Sequence, residues 1–375
     1  MKEYVISIRN YVLRFLYKII LQKIFFLIDP EAIHDRMLKV GQILGSNTVS
    51  RKLTAILFSY SNKSLEQEIL GIKFANSIGL AAGFDKNARL IKILPSVGFG
   101  FAEVGSITGE PCEGNPKPRL WRLKQSKSLV VNLGLNNEGC EAVARRLSGE
   151  KFAIPIGTNI AKTNSQKTVQ VADGIADYVK AFSEFVDIGS YFTINISCPN
   201  AFGGQPFEEP GRLEKLLDEI NKIATKKPVF LKISPDLKKS QIDGILEVAK
   251  RHHVSGFVCS NLTKNRKNAR VKDSIPSKDG GLSGKVVEDL ANDLIAYIYR
   301  KTRGKFVIIG LGGVFNAQDA YKKIKLGASL VQLVTGIIFE GPQVVSEINQ
   351  GLVRLLTKDK FERITDAVGV DLKSA

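Results

Sequence analysis

A chain of 375 residues with 44% hydrophobic content is long enough for one large core or two modest ones, and that composition argues against a disordered protein. Lys and Arg number 54 against 37 Asp and Glu, a net charge of +17, so an anionic partner has to be weighed; no basic block or nucleic-acid module accompanies the excess, and no nucleic-acid partner is expected. The four cysteines, Cys112, Cys140, Cys198 and Cys259, show neither CxxC nor metal-ligand spacing, which argues against a zinc site or a disulfide frame and for a reducing compartment.

Residues 4–28 are apolar but carry Arg9, Arg14, Lys18 and Lys23, so no uncharged run approaches the roughly 18 residues that a membrane span needs. Arg14 and Lys18 share a helical face while Lys23 falls away from it, which predicts two short interfacial helices rather than one clean amphipathic one. Residues 1–63 hold ten Lys and Arg against four Asp and Glu, and apolar helices with basic flanks suit an anionic membrane surface. A helical cap buried on the main domain and a cleaved targeting segment are the alternatives. The division expected is a helical, membrane-associating segment over 1–65, a barrel over 66–360 and a C-terminal tail over 361–375.

From Gly71 the chain alternates β-rich runs with helical spacing. Eight runs read as parallel strands: Ile78–Ala82, Phe101–Gly105, Ile154–Asn159, Tyr191–Ser197, Pro228–Ile233, Val254–Ser260, Phe306–Gly310 and Ser329–Thr335. Gly211–Lys226, Ser240–Arg251 and Val286–Lys301 have amphipathic helical spacing. Eight β/α units without GxGxxG after the first strand predict an α/β fold of the (β/α)8 TIM-barrel type, with an open α/β sheet as runner-up. The long connections 106–153, 198–227 and 261–305 are where such a barrel enlarges the loops that build its active site.

Every predicted strand ends in polar, cationic or backbone-exposing residues: Ala82 to Lys86, Ser106, Asn159, Asn195 with Cys198 and Asn200, Lys232, Ser260 with Asn261, Gly312 with Gly313, and Thr335 with Gly336. Glycines after strands seven and eight stand where barrels bind phosphate through backbone N–H groups, favouring a phosphorylated cofactor. A lysine facing a barrel mouth must be paired or used, and Lys232 suits a flavin, whose reduced ring develops anionic character. Cys198, at a strand end in a Pro/Gly loop, is placed for a nucleophile or general base; a small buried cysteine closing the strand is the plain alternative.

These residues resemble the dihydroorotate dehydrogenases, FMN-dependent (β/α)8 enzymes of pyrimidine synthesis, from about Asp29 to Pro342. The specific pieces are Gly79 to Lys86, Gly114 to Leu120, Asn195 to Asn200, Gly280 to Gly284 and Gly327 to Gln332. Asp29-Pro30-Glu31 with His34, behind apolar helices, is similar to the membrane-associated, quinone-reducing class. The resemblance implies that Ala82, Gly83, Phe84, Asp85, Lys86, Ser106, Asn159, Asn195, Lys232, Ser260, Gly284, Gly313, Val334 and Thr335 hold FMN. It implies that Lys86, Asn132, Gly134, Leu135, Asn195, Asn200 and Asn261 hold dihydroorotate or orotate, and that His34 and Arg122 line a quinone entrance. Cys198 would remove the C5 proton while hydride passes from C6 to flavin N5, and a membrane quinone would accept the electrons. No metal is implied. The place implied is the membrane surface, on the cytoplasmic face of the inner membrane in a bacterium.

Three residues depart from that class: Cys198 stands where Ser is usual, Val131 where a substrate-binding Asn stands, and Leu262 in place of Thr or Ser. A thiol starts nearer a usable base pKa than an alcohol. The other two swaps leave open a related flavin barrel with a changed ring substrate, or a membrane-surface flavoprotein without turnover. Asn132 or Asn136 could supply a replacement amide.

Overall fold

Eight short β-rich segments, each followed by a helical stretch, close on themselves in the computed structural model, which describes residues 2–198, 202–204 and 206–372. The barrel strands are β1 (Ile78–Leu80), β2 (Phe101–Ile107), β3 (Ile156–Ile160), β4 (Tyr191–Asn195), β5 (Val229–Ile233), β6 (Gly256–Cys259), β7 (Val307–Leu311) and β8 (Leu330–Leu333). They pair in parallel and in chain order, and β8 closes onto β1 through Val331 opposite Ile78. All eight predicted strands are present, with ends shifted by up to two residues. The predicted helices appear as Pro210–Asn221, Lys239–Arg251 and Glu288–Thr302.

Period-two alternation sends every other strand residue inward, and the inward residues change character along the barrel axis. At the N-terminal end Phe101, Tyr191, Phe230, Val258, Ile309 and Leu330 form an apolar plug, closed from below by Phe74 of the hairpin Gln67–Ile69/Ile72–Phe74. Phe74 meets Phe101 edge-on at 5.5 Å, and Tyr191 meets Phe230 at 5.4 Å. One layer up, Glu103, Asn159, Thr193, Lys232 and Gln332 are buried and polar. Above them, at the C-terminal rim, stand Ser106, Asn195 and Ser260.

Two of the three long connections, 106–153 and 261–305, build a sheet of their own. Leu120–Leu123 and Ser128–Val131 pair as a hairpin, and Gly281–Gly284, more than 140 residues later in the chain, adds antiparallel to its second strand. This three-stranded cap sheet stands over the barrel mouth. The expected C-terminal tail is also built into the fold, because Ile364 and Ala367 lie fully buried in the main core.

The N-terminal segment is helical over Lys2–Leu16 (α1), Pro30–Gly45 (α2) and Thr48–Phe58 (α3). α1 runs on through a widened π turn, Tyr17–Leu21, into Gln22–Phe25, so one long helical run replaces the two separate helices expected. Asp29 caps α2 by accepting the Ala32 N–H, with Pro30 at the first helical position. Three basic residues of this segment, Arg9, Arg14 and Lys18, bond to the protein, while Lys23, Arg36, Lys39 and Lys52 are exposed. Arg14 and Lys18 reach Glu340 at 3.3 and 2.9 Å, and Lys127 of the cap hairpin reaches it at 2.9 Å. Arg9 donates to Ser346 and to the Ile56 carbonyl. Tyr17, Lys18 and Gln22 donate to the carbonyls of Ile338 and Phe339.

Glu340 thus joins the N-terminal run, the cap sheet and the helix Thr335–Glu340 (α4). Burial raises its pKa, but the bonds from Lys127 and Lys18 outweigh burial and hold it below the ordinary 4.5. Its contribution is therefore full above pH 4.5 and is lost as pH falls through the lower folded-state value. Glu340→Ala is expected to cost about 1–3 kcal/mol, because partly exposed cations lose their shared carboxylate. Thermal denaturation should show the loss, and limited proteolysis should cut residues 2–25 sooner.

Candidate active site

The C-terminal rim, the cap sheet and the N-terminal helices enclose one continuous cavity of about 530 Å³. Strand ends supply its polar wall. Asn195 donates to Ser106 Oγ (2.9 Å), and Ser106 Oγ donates to Asn159 Oδ1 (2.5 Å). Asn261 Nδ2 donates to Asn195 Oδ1 (3.1 Å) and to the Ser197 carbonyl (2.9 Å). One network thereby holds the ends of β2, β3 and β4 and the residue pair after β6 in fixed register. Below it the Glu103 carboxylate accepts from Asn159 Nδ2 (3.1 Å) and Thr193 Oγ1 (2.9 Å).

Two lysines face the cavity. Burial pushes Lys232 below its ordinary pKa, while the charges of Glu103 and Cys198 act in the opposite direction. Burial brings Lys86 down to about 8, partly restored by Glu31. Cys198 is half-buried and lines both this cavity and a second one of about 10 Å³ behind it, shared with Lys162, Tyr178, Pro206 and Phe207.

Most residues singled out in the sequence come together here: Ala82, Gly83, Phe84, Lys86, Ser106, Asn195, Cys198, Lys232, Ser260, Asn261, Gly284, Gly313, Val334 and Thr335 all line the large cavity, as do Gly134 and Leu135. Asp85 does not. Its carboxylate is fully buried, accepts the backbone N–H groups of Arg89 and Leu90 at 2.7 Å each, and is raised by burial to about 6. Asn159 lies one step behind Ser106 rather than on the wall. Asn132 is turned away, its Oδ1 accepting from Asn115 at 2.8 Å, and Asn136 does not line the cavity either. Asn200 lies outside the described residues. Val131 and Leu262 do line the cavity, with Leu133 and Leu135, so the wall facing the asparagines is apolar.

The cavity leaves the barrel between the N-terminal helices, past Tyr17, Phe25, Ile33, Met37 and Phe58. His34 and Arg122 stand at the junction. His34 Nε2 donates to the Phe84 carbonyl at 2.8 Å; burial, then the Lys86 charge, hold its pKa down, so the ring stays neutral at neutral pH. Arg122 donates to the Ile28 carbonyl at 2.8 Å and lies 4.8 Å from the Phe26 ring centroid. Its buried Nε has no hydrogen-bond partner among the described residues.

Two charged residues that hold this site together escaped sequence reasoning. Glu31 of α2 is bound by Arg119 of the cap through Nε at 3.1 Å and Nη2 at 2.7 Å, which fixes the helices against the sheet. Both belong to the motifs Asp29-Pro30-Glu31 and Gly114 to Leu120, yet nothing in either motif names the other as its partner. Lys162 follows β3 by two residues, and the reasoning that singled out Lys232 at the end of its strand would have found it.

The profile of the family described as Dihydroorotate dehydrogenase matches residues 64–356. A protein of Trichormus variabilis named "Dihydroorotate dehydrogenase (quinone)" is 37% identical over 362 residues, covering 92% of this chain and 95% of its own. A protein of the same name from Haloarcula marismortui is 38% identical over 315 residues, covering 84% and 88%. Among solved structures, DHODH from Eimeria tenella in complex with ferulenol superposes with a TM-score of 0.82 at 28% identity, covering 92% of this chain and 96% of that one.

Separating a buried, bidentate ion pair strands a charge, so Glu31→Gln and Arg119→Met are each expected to cost about 2–4 kcal/mol, and the double variant less than their sum. Denaturant unfolding of the four proteins in the cycle measures that coupling.

Proposed function

Because the chain belongs to the dihydroorotate dehydrogenase family, we propose that it oxidises dihydroorotate to orotate with FMN as cofactor and a membrane quinone as the final acceptor. The observation that carries this reading is the single cavity that gathers Lys86, Asn195, Cys198, Lys232 and Asn261 at the barrel rim and continues outward past His34 and Arg122.

The residues present fit FMN. The cavity lies within the range of about 300–1,000 Å³ usual for cofactor sites. Gly83 lines it at φ +106, a backbone conformation that favours glycine, and a Cβ there would meet no neighbour, which leaves the space beside it for a ligand. Lys232, Ser106, Asn195 and Ser260 would hold the ring, and Gly284, Gly313, Val334 and Thr335 the phosphate side. FMN bound there supplies the hydride acceptor and the path for electrons to the quinone.

The chain's own groups do the rest. Lys232 places a cation where negative charge develops. Lys86, largely protonated below its pKa of about 8, pairs with the substrate carboxylate, while the amides of Asn195 and Asn261 orient the ring. The Cys198 thiolate takes the C5 proton and becomes a thiol. Val131 and Leu262 withhold two polar partners, each worth about 1–3 kcal/mol where a buried group is left unpaired. Binding therefore leans on Lys86 and the two asparagines, with the apolar wall packing the opposite edge.

The N-terminal run supports a place at a membrane surface through an inverted amphipathic pattern. Its polar residues Arg9, Asn10, Arg14 and Lys18 face the protein, whereas Tyr4, Ile8, Tyr11, Phe15 and Ile19 form an exposed stripe at helical spacing, with Tyr4 and Tyr11 72% and 70% exposed. On α3 and its approach, Ile43, Val49, Leu53 and Ile56 are likewise exposed. An apolar surface of this extent matches insertion into the headgroup boundary. No helix among the described residues is long and apolar enough to cross a membrane.

Purified protein should be yellow, and dihydroorotate should bleach it anaerobically. Cys198→Ala should slow the bleaching by about 10²-fold or more while the FMN stays bound. Bleaching at the wild-type rate in that variant would remove Cys198 from the reaction. Deleting residues 1–28 should lower liposome binding and quinone reduction together and spare the bleaching step; unchanged quinone kinetics would rule out the proposed role of the N-terminal run.

A further inference from the structure

Cys198 lines two cavities, and each has a lysine on its wall. Lys232 approaches from β5 within the large cavity, and Lys162, from the loop after β3, lines the small cavity behind the thiol. Lys162 is only 4% exposed. Its stem is confined by Phe207 and by Gly174, where an added Cβ would come within 3.0 Å of Lys162 Cδ. Its ammonium donates to Thr168 Oγ1 at 3.2 Å and to the Phe202 carbonyl at 3.0 Å, and Phe202 lies four residues after Cys198 on the same loop. Asp177, the carboxylate that acts on this ammonium, already accepts from Thr163 N (2.7 Å), Thr163 Oγ1 (2.6 Å) and Gly109 N (3.3 Å). The ammonium is thus bonded to neutral groups, and the negative charges that act on it through space are Asp177 first and Cys198 second.

We propose that Lys162 is a positioning residue for Cys198, holding it as the thiolate through its buried positive charge. This rests on the reading of Cys198 as the base. A neighbouring cation stabilises a thiolate over a thiol, and the effect grows where water is excluded. Among the described residues, Lys232, Lys86 and Tyr178 are further titratable groups that line the cavities Cys198 lines. Tyr178 is fully enclosed, donates its hydroxyl to the Asn195 carbonyl at 2.7 Å, and is raised by burial so that it stays neutral. Lys232 and Lys86 line the large cavity, where substrate and flavin are proposed to sit, whereas Lys162 lines the small one. After the C5 proton reaches the sulfur, the same charge favours its release to solvent and restores the thiolate.

The test is alkylation of Cys198 by iodoacetamide in the flavin-loaded protein as a function of pH, followed on the Cys198 peptide by mass spectrometry. In this reaction the thiolate sulfur bonds to carbon and iodide leaves, so the rate reports thiolate without any turnover. Cys112, Cys140 and Cys259 are buried and serve as internal controls. The wild-type midpoint is expected below the ordinary thiol value of about 8.5. Lys162→Met should move it upward and slow alkylation at pH 7 about tenfold, one pKa unit being tenfold. Lys162→Arg should keep the wild-type profile. Asn164→Ala removes the 2.6 Å bond that Asn164 Oδ1 accepts from the Phe202 N–H, loosening the loop at constant charge, and should leave the midpoint in place.

A wild-type midpoint at or above 8.5, an unmoved midpoint in Lys162→Met, or an equal shift in Asn164→Ala would each overturn the proposal. The wild-type value decides even where a variant does not fold. Failure of Cys198 as the base would show separately, as undiminished bleaching in Cys198→Ala.

Discussion

Closure of eight parallel strands in chain order is the constraint on which the rest of this structure depends. Closure puts every strand's C-terminal end on one rim, so residues as far apart in sequence as Lys86 and Thr335 share a wall without any local signal between them. Closure also makes the interior a column with two ends. Aromatic and branched residues plug the lower end, and only because that end is dry and filled can Glu103, Thr193 and Lys232 be held one layer higher without water reaching them from below. Within the buried polar layer Glu103, Asn159 and Thr193 satisfy one another, while the Gln332 amide has no hydrogen-bond partner among the described residues, and the layer carries the Asn195 network on top of it.

Charge does the joining outside the barrel. Glu340 with its three cations joins the N-terminal run and the cap hairpin to α4, and Glu31 with Arg119 joins α2 to the cap. Apolar contact alone would have consumed the surface that α1 and α3 leave exposed. Attachment by polar groups on the inner face frees the outer face to be apolar.

The barrel was legible because each strand is a short apolar run bounded by Gly, Pro or a polar pair, and its period does not depend on distant partners. The rim residues were legible for the same reason, since a strand's end marks the mouth. The cap sheet was not: Gly281–Gly284 pairs with Ser128–Val131 across more than 140 residues, and three of its four residues are Gly or Ser with no strand propensity of their own. Side-chain direction was also out of reach. Asp85 and Asn132 stand in the right segments but bond to Leu90 and Asn115 rather than facing the cavity, a choice made by turn geometry. The inward bonds of the basic N-terminal residues were out of reach as well, because Glu340 lies 322 residues after Lys18 and gives no sign in sequence of being its partner.

The π turn at Tyr17–Leu21 sets the winding of the N-terminal run. Successive positions four apart drift by about 40° on an α-helix, and a wider turn absorbs that drift, which is how Arg14, Lys18 and Gln22 all address the same end of α4. A π turn holds about one residue more than an α turn, so loss of one residue within 17–21 would restore ordinary helical winding with little rotation of what precedes it. Arg9 and Arg14 would keep their face toward the barrel and the Tyr4–Phe15 stripe its face outward, whereas a residue lost from the α-helical part of the run would turn everything before it by about 100°. A one-residue gap in an alignment of related chains is therefore neutral at the wide turn, and elsewhere in this run it marks a helix with a different face to the outside.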